Sequence, residues 1–293
     1  MRLFVVGNFD KPLVKPALDA WLPLIKSKVE LVGVTDEWEG DFGALQADVV
    51  LVLGGDGTLL GTARQLRGRA IPVMGINFGR LGFLASFTPE NFPKDLDDLV
   101  AGRLPVQRRM MAEASVVSAD ISCPMIDYTE VKKHRRFHAT ALNDAVITAG
   151  PPFHMVELEL GVNGEDGVRY FGDGVIVATP SGSTAYNVSA GGPIMNPDVE
   201  AFCITPICPH SLSFRPVVVS DRSTVVIHAS RVNEGTTLFC DGQASTKLLK
   251  GDKIVIRRSE HDILLIENPH MREWRELAEK LNWAVTPKYN ETR

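Results

Sequence analysis

One carboxylate sits inside a glycine turn, in the run Gly54-Gly55-Asp56-Gly57-Thr58. An all-apolar stretch, Val49 to Leu53, leads into it, and a helical pattern starts at Leu59. Glycines let the backbone approach a ligand closely, and N–H groups at a helix start point at bound oxygens. Gly54, Gly55, Gly57 and Thr58 are therefore a candidate phosphate loop. No Lys follows the glycines as a Walker A loop needs, and the spacing does not fit the dinucleotide GxGxxG pattern. An ionised Asp56 repels phosphate, so it needs a separate reason. Three are open: a bound Mg²⁺, a proton accepted from an attacking hydroxyl, or the ordinary preference of Asp-Gly for turns.

A second constellation lies further along. Gly172-Asp173-Gly174 opens the apolar strand Val175 to Ala178, which ends in Thr179-Pro180-Ser181-Gly182-Ser183-Thr184-Ala185-Tyr186-Asn187-Val188-Ser189-Ala190-Gly191-Gly192-Pro193. Short hydroxyl side chains and glycines at this density can approach a polar ligand, and Ala185-Tyr186 suits a flat ring. A linker could share the composition, but it would lack the apolar strand leading in. Asn143-Asp144 interrupts the apolar run Ala139 to Ile147. Adjacent strand residues face opposite ways, so the pair marks either a bulge or the mouth of a site. Asn offers donor and acceptor together, while Asp accepts from hydroxyl or amino groups. His154 and His210 are each open to a structural or a ligand-contacting reading.

The elements that must position these residues fall into two kinds. Up to about residue 105, strands at Leu3 to Val6, Leu31 to Val34, Asp48 to Leu53 and Ile71 to Ile76 alternate with helical stretches at Ala17 to Lys28 and after Thr58. That alternation predicts a mainly parallel sheet, whose ligands bind at the carboxyl ends of its strands. Both the Asp56 turn and Asn77-Phe78-Gly79-Arg80-Leu81-Gly82-Phe83 lie at such ends, so they are expected to face one crevice. After Gly102-Arg103-Leu104-Pro105 the chain turns to short β-rich stretches, punctuated by Asn163-Gly164, Glu234-Gly235 and Asp241-Gly242. The charge run Lys132-Lys133-His134-Arg135-Arg136 reads as a solvated hairpin loop. A last helical pattern, Met271 to Leu281, is expected to pack back on the first part.

The chain has 293 residues, 44% hydrophobic and 23% charged, with a formal charge of −5. An anionic ligand must then be held by local donors, and nucleic acid is disfavoured as a partner. Four cysteines without CxxC spacing argue for reduced thiols and a cytoplasmic protein. No apolar run approaches the length of a membrane span, and the first residues read as a strand rather than a signal peptide.

Diacylglycerol and sphingosine kinases and, in variant form, phosphofructokinases share the GGDGT run. The full order of motifs is more specific: GGDGT, then Asn-Phe-Gly-Arg-Leu-Gly-Phe-Leu, then Leu-Asn-Asp, then Gly-Asp-Gly with Thr-Pro-Ser-Gly-Ser-Thr-Ala-Tyr, then Pro209-His210, Arg215-Pro216 and Asp241-Gly242-Gln243. Along nearly the whole chain this order resembles the NAD kinases. The resemblance implies a Rossmann-like α/β nucleotide domain and a β-sandwich second domain. Residues 1–105, joined by the C-terminal segment 262–293, would bind the ATP phosphates, and 106–261 would bind NAD. It implies transfer of a phosphoryl group from ATP to the adenosine ribose 2′-hydroxyl of NAD. Asp56 would accept the proton and Gly57 would line NAD beside it. Asn143, Asp144, Asp173, Thr184, Ala185, Tyr186 and Ser189 would contact NAD, with His154 and Gln243 as further members. Many members carry Glu at the place of Asp144, and Arg at the place of Phe171. Mg²⁺ would arrive with ATP, since no His/Cys/Asp cluster shows metal-site spacing. A homodimer or homotetramer is expected from the resemblance alone. A lipid kinase, or a sensor that binds NAD without consuming ATP, are the alternatives.

Overall fold

The computed structural model describes residues 1–36, 42–79, 82–211 and 213–271. Its first sheet begins with β1 (Arg2–Gly7), α1 (Val14–Lys28), β2 (Glu30–Thr35), β3 (Val49–Gly54), α2 (Asp56–Gln65) and β4 (Val73–Asn77). These four strands are parallel, in the order β2-β1-β3-β4. Every residue of β3 and β4 is buried, as expected of parallel strands covered on both faces. The sequence reading did not foresee α3 (Phe92–Val100). Its buried Phe92, Leu96 and Leu99 recur at helical spacing, and Phe92 stacks on Trp21 of α1 with centroids 4.1 Å apart. β5 (Val106–Arg109), just past the expected boundary at 105, also enters this sheet at its edge.

Twelve strands then make two further sheets: β6 (Ala112–Val117), β7 (Arg135–Ala141), β8 (Asp144–Thr148), β9 (Val156–Val162), β10 (Val168–Gly172), β11 (Gly174–Ala178), β12 (Ala201–Ile207), β13 (Val217–Ser220), β14 (Val225–Arg231), β15 (Thr237–Cys240), β16 (Ala244–Lys247) and β17 (Lys253–Arg258). The sheet orders are β10-β9-β14-β17-β6-β7 and β13-β12-β11-β8-β15-β16. Alternate residues of both, among them Val156, Leu158, Val175 and Val177, share one buried cluster, which makes the pair a β-sandwich. β18 (Ile263–Ile266) returns the chain to the first sheet, parallel to β4 and antiparallel to β5. The expected helix from Met271 onward lies outside the described residues, apart from Met271 itself.

Two expectations are corrected. The run Ala139 to Ile147 is not one strand: β7 ends at Ala141 in one sheet and β8 starts at Asp144 in the other. Asn143-Asp144 therefore marks a change of sheet. Nor do Lys132 to Arg136 form a hairpin loop: the first three close α4 (Tyr128–His134) and the last two open β7. The Asp127 side chain caps α4 by accepting from Thr129 N and Glu130 N, and cations at the other end suit the negative pole of the helix.

Candidate active site

Parallel pairing brings the carboxyl ends of β3 and β4 side by side, with Gly54 opposite Asn77 and Phe78 N–H donating to Gly54 O at 2.9 Å. The chain turns after Gly54, and Asp56 is the first residue of α2. Its carboxylate Oδ2 accepts from Phe83 N at 2.9 Å, and Oδ1 accepts from Ala85 N at 3.0 Å and Leu84 N at 3.3 Å. A Cβ on Gly82 would stand 2.1 Å from both carboxylate oxygens, so only glycine lets the second loop close on this acid. The two loops do converge. A carboxylate has about four acceptor positions, and backbone amides fill three, two on Oδ1 and one on Oδ2. Among the described residues, one acceptor position on Oδ2 is left untaken.

The hydroxyl-rich loop faces this pair from the sandwich. Thr179 N–H donates to Asn143 O at 2.8 Å and Thr179 Oγ1 donates to Leu142 O at 2.5 Å, pinning the loop's start to the change of sheet. Asn187 is fully buried and fixes the middle: Nδ2 donates to Ser183 O and Pro193 O at 3.1 and 2.9 Å, and Oδ1 accepts from Thr205. A cavity of about 480 Å³ runs between the two halves. Phe83 and Leu84 of the first, and Ser181, Thr184 and Val188 of the second, line it. Apolar walls with a few hydroxyls suit a heteroaromatic ring.

Asp241 organises the change of sheet. It has positive φ (53°), as does Gly242 (67°), in the turn between β15 and β16. Its carboxylate accepts from Asn143 N at 2.7 Å, Leu142 N at 2.9 Å and Asp144 N at 3.2 Å. Asp144 is buried beside it. Burial, with the charge of Asp241 added, pushes the Asp144 carboxyl up to about 7. Burial also pushes Asp241 up to about 6, against its three backbone bonds and the Arg64 guanidinium, which favour the charged form. One step on, Gln243 Nε2 donates to Gly57 O at 2.7 Å and its Oε1 accepts from Arg64 at 2.9 Å. That contact joins the sandwich to α2.

Around Asp56 and the cavity the structure thus gathers the four loop residues Gly54, Gly55, Gly57 and Thr58 with Asn143, Asp144, Thr184 and Gln243. Ala185 is half-buried beside Thr184, while Tyr186 and Ser189 are exposed on α5 (Tyr186–Ser189). Asp173 and His154 lie elsewhere. Gly174 pairs with Thr148 while Ala178 pairs with Asp144, so Asp173 stands at the far end of β8 and β11 from the change of sheet. At about 3.3 Å per residue that is roughly 13 Å or more away. Ala149 N–H bonds Asp173 O, and the exposed His154 follows on the same loop. The His210 N–H donates to Phe171 O. Sequence reasoning missed Lys11, whose Nζ donates to Gly54 O at 2.7 Å, together with Arg64 and the scaffold role of Asn187. Lys11 and Arg64 gave no signal because their partners are distant in sequence.

An acid-bearing glycine turn on a parallel sheet, opposed by a polar loop on a second domain, is a site for moving phosphoryl groups between nucleotides, and the chain is an enzyme of the kinase class. Residues 26–104 match the ATP-NAD kinase N-terminal domain and residues 142–268 the ATP-NAD kinase C-terminal domain. The NAD kinase of Rhodopirellula baltica is 38% identical over 283 residues, covering 97% of this chain and 87% of that protein. The NAD kinase of Desulforamulus reducens is 44% identical over 266 residues, covering 87% and 88%. Among solved structures, yeast NADH kinase complexed with NADH superposes with TM-score 0.85 at 25% identity, over 100% of this chain and 90% of that one. An Archaeoglobus fulgidus NAD kinase in complex with ATP superposes with TM-score 0.75 at 30% identity, over 96% and 99%. The chain belongs to the ATP-NAD kinase family.

Proposed function

We propose that this chain transfers the γ-phosphoryl group of ATP to the adenosine ribose 2′-hydroxyl of NAD, giving NADP, in the crevice around Asp56. The observation that carries the reading is the Asp56 carboxylate, fixed by three amides with one acceptor position left, beside a cavity shared with the hydroxyl-rich loop. A ribose hydroxyl is a weak nucleophile at neutral pH, and phosphoryl transfer needs alignment and charge neutralisation more than covalent help. Asp56 would take the hydroxyl proton as the oxygen attacks phosphorus. Asn143 and Asp144 would hold the ribose, and Thr184, Ala185, Tyr186 and Ser189 would continue the NAD pocket.

The Gly54 to Thr58 backbone would hold the ATP phosphates. Mg²⁺ would arrive with ATP, held chiefly by phosphate oxygens and water. When bound there, the ion supplies neutralisation of phosphate charge. His154 and Asp173, at the far end of β8 and β11 from the Asn143-Asp144 change of sheet, would contact NAD away from the transfer step rather than take part in it. The lipid kinase and sensor readings gain no support, because the relatives named NAD kinase match across both domains.

We also propose a cytoplasmic homo-oligomer, a dimer or tetramer. Val217 and Val218, exposed on the edge strand β13, support such an assembly. Among the described residues no helix is long and apolar enough to cross a membrane. Incubation of the purified chain with ATP, Mg²⁺ and NAD, with NADP read by an NADP-specific dehydrogenase, tests the reaction. NADP should form, cease with a chelator and resume with added Mg²⁺. Folded protein that yields none from NAD or NADH overturns the reading. Sedimentation tests the assembly, and a monomer would remove it.

A further inference from the structure

The glycine turn has no Walker lysine after it, yet a lysine reaches it from the turn after β1. Lys11 lies on the turn that follows β1, where its N–H donates to Asn8 O at 3.2 Å. Its ammonium crosses to the carboxyl end of β3 and donates to Gly54 O at 2.7 Å. A Cβ built on Gly55 would stand 2.9 Å from Nζ, and one on Gly79 would stand 3.6 Å from it. The ammonium is thus seated between the Gly54-Gly55 turn and the Asn77 to Gly79 turn, and the missing side chain at Gly55 keeps that seat open. Asn77 shares it: its Oδ1 accepts from Gly79 N at 2.8 Å and would lie 3.8 Å from a Gly55 Cβ.

Two features make this lysine more than a tie between loops. An ammonium has three donors, and Gly54 O takes one. No carboxylate pairs with Lys11 among the described residues, whereas Lys28 and Lys132 each meet one. The N–H groups of Asp56, Gly57 and Thr58, at the start of the ten-residue α2, likewise bond no protein group among the described residues. A cation with two donors to spare therefore stands beside helix N–H groups that bond no protein group among the described residues, next to a turn whose acid, Asp56, already accepts from the amides of 83–85.

We propose that Lys11 binds the terminal phosphate of the donor nucleotide, taking from the β1–α1 turn the part that a Walker lysine plays from within its own loop. The inference rests on the kinase reading above. During transfer the ribose 2′-oxygen forms a bond to the γ-phosphorus as the bond from that phosphorus to the β,γ-bridging oxygen breaks. The hydroxyl proton goes to Asp56, and the electron pair leaves with ADP. Lys11 keeps its three protons and offsets the charge on the oxygens of the moving group.

Lys11→Met keeps the stem and removes the charge. The test is run on wild-type protein that makes NADP; failure at that stage is failure of the kinase reading, not of this one. In active protein the variant should lose about 10²-fold in kcat/KM for ATP, with KM for NAD within about twofold of wild type. Calorimetric affinity should fall most for ATP, less for ADP and little for AMP, and Lys11→Arg should recover part of the loss. Wild-type protein gives a second measurement that needs no variant: ATP, but not AMP, should protect Lys11 from an amine-acylating reagent, read by mass spectrometry. Unchanged kinetics, equal losses for ATP and AMP, or acylation unaffected by ATP would each overturn the proposal.

Discussion

Gln243, on the turn between two sandwich strands, donates through Nε2 to the carbonyl of Gly57 at 2.7 Å, one residue past the acid of the glycine turn. Its Oε1 is held in the same pose by Arg64 at 2.9 Å, two turns further along α2. Sandwich and parallel sheet thus meet at the residue next to Asp56. Gln243→Ala removes both bonds, and at about 0.5–1.5 kcal/mol each the loss corresponds to roughly a tenfold to hundredfold fall in kcat/KM. Gln243→Glu separates the two contacts, since a carboxylate still accepts from Arg64 but cannot donate to Gly57 O. Steady-state kinetics should find the Glu variant nearly as impaired as the Ala one. A Glu variant of wild-type activity would show that the Gly57 contact is idle.

Asp56→Asn should lower kcat about 10²- to 10⁴-fold and leave NAD affinity largely intact. The amide oxygen can still accept from the 83–85 backbone, but its NH₂ would turn a donor toward donors on one side. Melting temperature must therefore be measured alongside the kinetics. A kcat loss with unchanged Tm and unchanged NAD binding assigns the residue to proton transfer. A loss confined to KM would reassign it to binding.

What the sequence disclosed, and what it concealed, follow from the range of the interactions. Strand β3, the turn after it and the start of α2 are local in character, and local pattern located the strand within one residue and the helix start, expected at Leu59 and found at Asp56, three residues late. The sandwich could be read as many short strands, but not which sheet each joins, because pairing such as β8 with β15 spans about 90 positions. The Asn143-Asp144 interruption was visible as polar residues in an apolar run. Its cause, the Asp241 carboxylate accepting three N–H groups from almost a hundred residues away, was not. Lys11 was silent for the same reason: its partner Gly54 lies 43 positions on.

The Asp144 and Asp241 pair makes a pH prediction. Both carboxyls titrate higher in the folded chain than the ordinary value near 4, up to about 7 and about 6, and they titrate as a coupled pair. The folded state then binds more protons than the unfolded state between about pH 4 and 7, so this contribution to stability is greatest at the acid end of that window. It is lost as pH rises through the folded values. Asp144→Asn removes the penalty of ionising beside Asp241. Thermal melts should show a higher Tm than wild type at pH 8 and a flatter profile from pH 4 to 7. A variant less stable than wild type at pH 8 would mean that Asp144 is held by partners that favour its charged form.

Gly82 is the position where one methyl group tests the coupling between loop closure and chemistry. Its φ gives no strain to argue from; what forbids a side chain is the Asp56 carboxylate, 2.1 Å from where a Cβ would be. Gly82→Ala must move either the 82–85 backbone or the acid, and both routes weaken the three hydrogen bonds that aim Asp56. A misplacement of about 1 Å at a reacting group is enough for roughly a 10²-fold loss, so kcat should fall by that order. If Gly82 acts only through the acid, the double variant Gly82→Ala with Asp56→Asn should be no slower than Asp56→Asn alone. Full additivity in that cycle would give Gly82 a role of its own, as a close approach for substrate rather than a seat for the carboxylate.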